Sequence, residues 1–117
     1  MKINESELKI MNIVWDKGEL SATDIVTQMK ELTGWNKNTT YTLLKRLIEK
    51  GALERMEPRF ICRPLVEREK VRQVEAEELV DKLFEGSVSS LFSTFFKNEN
   101  FDKEQIDEIR KLIEQHS

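Results

Sequence analysis

One cysteine, one histidine, two prolines and four glycines are all that 117 residues hold of those types, and each scarcity removes a class of function. Cys62 alone allows no internal disulfide, and with a single histidine it cannot build a thiolate or imidazole metal cluster within one chain. No glycine-rich loop is present to cradle a phosphate. Cys62 has no histidine near it in sequence, so no pair of nucleophile and base is legible and an enzyme is not expected. Cys62 reads instead as a small apolar filler, and His116, beside the C-terminal residue, as an inert end group. No cofactor and no metal are expected. Long apolar runs are missing too. Nothing approaches the roughly 20 residues of a membrane helix, and Met1-Lys2-Ile3-Asn4-Glu5 does not open an apolar signal segment. A cytoplasmic location, without membrane insertion, is the expectation.

Charge is plentiful, at 35% of residues against 38% hydrophobic, and the net charge of −3 is unevenly spread. Residues 1–64 carry eleven Lys and Arg against nine Asp and Glu, whereas residues 65–117 carry eight against thirteen. Within residues 36–63, seven basic side chains (Lys37, Lys45, Arg46, Lys50, Arg55, Arg59, Arg63) meet three acidic ones. A local positive patch is what phosphate contact requires, whatever the overall balance.

Three helix starts share one pattern: an apolar residue, a cap, an acid or amide three positions on, and a second apolar residue after it. They are Ile3-Asn4 with Glu7 and Leu8, Leu20-Ser21 with Asp24 and Ile25, and Phe101-Asp102 with Gln105 and Ile106. A first helix is expected over residues 5–17, with Leu8, Met11, Val14 and Trp15 on one face and Gly18 as its stop. A second runs from Ser21 to about Leu32, burying Ile25, Met29 and Leu32, and Thr33-Gly34-Trp35 turns the chain. A third starts near Asn36 or Asn38 and ends at Lys50, with Thr40, Leu43, Leu44, Leu47 and Ile48 inward. Two extended runs, Ala52–Met56 and Phe60–Pro64, flank Glu57-Pro58-Arg59 and predict a small hairpin. Helical spacing then returns over residues 67–85, after Ser87, and over residues 102–115.

The expected fold class is mostly α with a small β-hairpin: a winged helix-turn-helix domain over residues 1–65, then a helical dimerisation region over residues 66–117. The third helix is the candidate reading helix. Its outward side would carry Lys37, Asn38, Thr39, Tyr41, Thr42, Lys45 and Arg46, with Arg55 and Arg59 added by the hairpin. That set mixes phosphate binders with groups able to reach base edges. The solvated side of an ordinary helix carries similar residues. The position after a capped helix and a glycine turn, with a basic hairpin following, favours double-stranded DNA as partner. The alternative is a winged helix that serves only as a protein-interaction module for a sensor or another regulator.

The C-terminal block either folds back to enlarge the same core or pairs with a second copy. Phe84, Phe92, Phe95, Phe96 and Phe101 are more aromatic surface than a three-helix appendage easily hides, which favours a homodimer. Val80, Phe84, Leu91, Phe92, Phe95, Ile106 and Ile109 are the candidate dimer contacts.

The stretch Glu7-Leu8-Lys9-Ile10-Met11-Asn12-Ile13-Val14-Trp15, with Ser21-Ala22-Thr23-Asp24-Ile25-Val26 and Thr39-Thr40-Tyr41-Thr42-Leu43-Leu44-Lys45-Arg46-Leu47-Ile48-Glu49-Lys50-Gly51, resembles the penicillinase repressor (BlaI/MecI/CopY) family. The resemblance continues through Leu83-Phe84-Glu85-Gly86-Ser87 to Glu104-Gln105-Ile106-Asp107-Glu108-Ile109. It implies a homodimeric repressor of a palindromic operator, controlling β-lactamase, methicillin-resistance or copper-handling genes. For the first two groups it also implies derepression through a membrane sensor protease and cleavage in the C-terminal domain. Cleaved members have an Asn-Phe bond where this chain has Thr94-Phe95, so the apolar side is kept and the asparagine is not. The cysteine cluster of the copper-responsive branch is absent. Tyr41 stands where several members carry Arg or Gln, so the operator sequence does not carry over.

Overall fold

Asn4 begins the first helix as its spacing predicts. In the computed structural model, which describes residues 1–97 and 101–115, its Oδ1 accepts the Glu7 N–H at 2.8 Å. Glu7 Oε1 in turn accepts the Asn4 N–H at 2.9 Å, closing a reciprocal box on α1 (Glu5–Lys17). Ser21 Oγ caps α2 (Ala22–Thr33) by accepting the Asp24 N–H at 3.1 Å. Of the two starts considered for the third helix, Asn36 is the cap: its Oδ1 accepts the Thr39 N–H at 2.9 Å and opens α3 (Lys37–Glu49). Between them Gly34 sits at φ 79° and ψ 6°, a left-handed geometry that only glycine adopts without penalty. His116, read above as an end group, lies outside the described residues.

The hairpin forms with β2 (Leu53–Met56) and β3 (Ile61–Pro64), and a two-residue strand, β1 (Leu20–Ser21), joins the free side of β3. The sheet order is β1-β3-β2, all antiparallel, with Leu20 opposite Cys62 and Arg55 opposite Cys62 on the other side. The turn runs from Glu57 to Phe60, with a cis Glu57–Pro58 peptide and Phe60 at φ 51°. The sequence gives no sign of β1, because a two-residue strand has no period of its own and exists only through its partner.

The helices and sheet enclose Ile10, Met11, Val14, Ile25, Met29, Leu44, Leu47, Leu53 and Cys62, all essentially without solvent contact. Such side chains contribute roughly 1.5–3 kcal/mol each by leaving water. Leu32 departs from expectation and is 70% exposed. Ala22, Ile25 and Met29 follow the helical spacing into the core, but at the last turn of α2 no described element of the first unit covers the stripe. Leu32 there borders an open cleft with Lys9, Asn12, Ile13 and Asp16.

The chain divides into two compact units, Met1–Arg72 and Gln73–Ser117. The first reaches past residue 65 because Trp15 Nε1 donates to the Val66 carbonyl at 2.9 Å and Val71 packs on the core. Arg68 Nη2 also donates to the Asn12 carbonyl at 2.9 Å and to Asp16 Oδ1 at 2.7 Å. Helix α4 (Arg68–Phe84) begins in this unit and ends in the second, which adds α5 (Val88–Lys97) and α6 (Lys103–Gln115). Asp102 and Gln105 cap α6 reciprocally, at 2.8 and 3.1 Å. The second unit has little interior of its own. Among its described residues only Val80 is buried. Among the described residues of the whole chain, no helix is long and apolar enough to cross a membrane.

Candidate nucleic-acid interface

Thr40, Leu43, Leu44 and Leu47 fix which side of α3 faces inward, and the 3.6-residue period then turns Asn38, Thr42 and Lys45 outward. Lys37, Asn38, Thr39, Thr42, Lys45 and Arg46 are exposed, and Tyr41 is half-buried. Thr42 Oγ1 donates to the Asn38 carbonyl at 2.9 Å. Glu49, in the last turn, is the one acid of this helix. Among the described residues no ion pair engages Lys37, Lys45, Arg46 or Arg59, and all four are exposed to water. The arrangement is suited to anionic backbone.

The hairpin reaches α3 through an aromatic that was not singled out from the sequence. The Phe60 ring lies 6.0 Å from that of Tyr41, at 51° between planes. Lys37 Nζ stands 6.0 Å from the Tyr41 ring on one side, and the Arg55 guanidinium carbon 3.7 Å from the Phe60 ring on the other. Arg55 also pairs with Glu57. Tyr41, Lys45, Ile48, Glu49, Arg55 and Phe60 border a cleft of about 360 Å³ between helix and hairpin. The Phe60 carbonyl accepts the Ala22 N–H at 2.9 Å, so the same residue ties the hairpin to the start of α2. An aromatic closing a basic turn was the available signal; its partner Tyr41, nineteen positions away in sequence, was not predictable from local pattern.

The cations of the hairpin are thus unequal. Arg63 is paired with Glu54 at 2.5 Å and Arg55 with Glu57, while Arg59 is exposed at the turn. Behind the sheet, burial pushes the Cys62 thiol up to about 11, against a smaller opposing effect of the Arg55 charge. That agrees with its reading as filler. Among the described residues no group of three potential ligands could hold a metal ion.

The candidate dimer residues lie on the helices of the second unit. Val80 is buried, while Phe84, Leu91, Phe92, Ile106 and Ile109 are half-buried and Phe95 is exposed. The Phe101 ring gathers Phe92, Phe95 and Phe96 at centroid distances of 6.4, 5.2 and 5.2 Å. Leu83, Val88, Phe96, Leu112 and Ile113 are exposed on the same three helices. Thr94-Phe95 lies inside α5, where Thr94 Oγ1 donates to the Ser90 carbonyl at 3.1 Å.

Residues 3–115 match the family described as Penicillinase repressor. The penicillinase repressor of Bacillus licheniformis is 26% identical over 117 residues, covering 98% of this chain and 91% of its own length. The methicillin resistance regulatory protein MecI of Staphylococcus aureus is 28% identical over 114 residues, covering 96% and 93%. Among solved structures, the DNA-binding domain of the repressor BlaI is similar over 57% of this chain and 84% of that one, with a TM-score of 0.55 and 26% identity.

Proposed function

Since this chain belongs to the penicillinase repressor family, we propose that it is a homodimeric transcriptional repressor that reads a two-fold DNA operator with α3 and the hairpin. The observation that carries the reading is the outer side of α3. It presents Lys37, Lys45 and Arg46 without ion pairs, beside Asn38, Thr39 and Thr42, on a helix anchored at both ends. The lysines and arginine suit phosphates, and Asn38 and Thr42 suit base edges in a major groove. Arg59 at the hairpin turn suits the adjacent backbone.

The dimer is supported by what the second unit lacks. Three helices with one buried residue leave a large apolar surface, and a second copy is the partner that a two-fold operator calls for. Two copies would place two α3 helices in successive turns of one groove, about 34 Å apart. The names of the relatives suggest genes of penicillinase or methicillin resistance as targets, and the site of action would be the cytoplasm. A membrane sensor protease, implied by the resemblance, would act indirectly rather than at Thr94-Phe95, whose backbone is held within α5.

Hydroxyl-radical footprinting on DNA from the gene's own promoter tests the reading. Two protected patches related by two-fold symmetry and spaced by about 10 base pairs or a multiple are expected. Protection of one asymmetric patch, or none, contradicts it.

A further inference from the structure

Arg55 is held from two sides. Its guanidinium lies over the Phe60 ring at 3.7 Å, and its Nε donates to Glu57 Oε1. Arg55 lies in β2 and Glu57 opens the turn that follows it, two residues on. The two partners differ in how firmly they are fixed. Phe60 is anchored by its carbonyl to the Ala22 N–H and by its ring to Tyr41. Glu57 is 59% exposed and Arg55 47%, so their pair stands in solvent, where an ion pair is weak. The aromatic platform is thus built in, and the anion on it is replaceable.

A carboxylate and a phosphate offer a guanidinium the same thing, a pair of oxygen acceptors in its plane. We infer that Glu57 is an intramolecular stand-in for a DNA phosphate, keeping Arg55 over Phe60 in the pose that the phosphate then takes over. The hairpin docks by exchanging one anion for another, and its guanidinium is oriented beforehand. Phe60 is then a positioning residue and Glu57 an internal competitor. The inference rests on the DNA-binding reading above.

The two roles predict effects of opposite sign. Glu57→Gln removes the competing charge and tightens binding to duplex DNA by up to about fivefold, the range a solvated ion pair spans. Phe60→Leu keeps apolar bulk but removes the ring face, and weakens binding by a similar factor. In an Arg55→Ala background the gain from Glu57→Gln disappears, because there is no guanidinium left to release.

The experiment is fluorescence anisotropy of the full chain with a labelled promoter duplex and a scrambled duplex, with thermal melting of each variant. The expected result is a gain for Glu57→Gln on both duplexes, lost when Arg55 is alanine, and a loss for a well-folded Phe60→Leu. A gain that persists without Arg55 makes Glu57 a general repulsive charge and overturns the inference, as does wild-type affinity in Phe60→Leu. Should Phe60→Leu fold poorly, the Glu57→Gln comparison at an exposed residue decides alone. Absence of salt-sensitive binding by the unsubstituted chain would be a failure of the DNA reading itself, visible before any variant is compared.

Discussion

Lys50 Nζ lies 2.5 Å from Glu7 Oε1, and the same ammonium donates to the Lys2 carbonyl at 2.8 Å. The C-cap of α3 is thereby tied to the first turn of α1. Glu7 is fully buried. Burial alone raises its pKa, but the hydrogen bonds from Lys50 and from the Asn4 N–H, with the charges of Lys50 and Arg46, outweigh it. The carboxyl is held below its usual 4.5. One oxygen, Oε2, has no hydrogen-bond partner among the described residues.

A carboxyl with a depressed pKa stabilises the fold above its unfolded value and loses that contribution as pH falls through the folded one. Glu7→Gln is expected to cost about 2 kcal/mol near neutral pH. In melting experiments the gap between wild type and Glu7→Gln should close as the solution is acidified below pH 4.5. A gap constant with pH would mean that Glu7 acts only as a cap.

Leu44 and Leu32 form a contrast on neighbouring helices. Leu44 is fully buried and Leu32 is 70% exposed. Leu44→Ala should cost about 3 kcal/mol by leaving a cavity, and Leu32→Ala less than about 0.5 kcal/mol. Urea unfolding measures both, and equal costs would contradict the open cleft at the end of α2.

Lys45→Ala and Arg46→Ala each remove an exposed cation from α3 and leave its apolar side intact. Both should melt near wild type, bind operator DNA more weakly, and lower the slope of log affinity against log salt by about one. Unchanged affinity in both variants would remove α3 from the interface.

In the second unit, Phe92→Asp or Leu91→Asp puts a charge among half-buried side chains of α5. Sedimentation velocity should show monomers for each. Intact dimers would assign the pairing surface elsewhere.

Cys62 is enclosed between β1 and β2, and its thiol sits at about 11. At pH 8 a thiol reagent should therefore label the native chain only at the rate at which it opens, and immediately in denaturant. Rapid labelling of the native chain would contradict that burial.

Much of this fold could be read from local signals, because helix ends are local. Asn4 with Glu7, Ser21 with Asp24, and Asp102 with Gln105 each announce a cap within four residues, and each cap forms. The outer side of α3 followed from the leucines on its inner side. What stayed hidden depends on distant partners. Leu20 and Ser21 become a strand only because β3 lies beside them. Leu32 keeps the apolar period, but its neighbours in the first unit leave it 70% exposed. Phe60 looks like the start of a strand, and its role emerges only when Tyr41 and Arg55 arrive from other elements. Glu7 was legible as a cap, whereas its pairing with Lys50 spans most of the first unit.

The most direct test of the central claim is a salt series of fluorescence anisotropy with the chain and its promoter duplex, with sedimentation of the same samples. The account predicts one dimer per duplex, preference over scrambled DNA, and a log–log salt dependence of about −0.9 for each phosphate engaged. A folded dimer with no preference for any promoter sequence at any salt would contradict it, and would leave the winged helix as a surface for binding another protein.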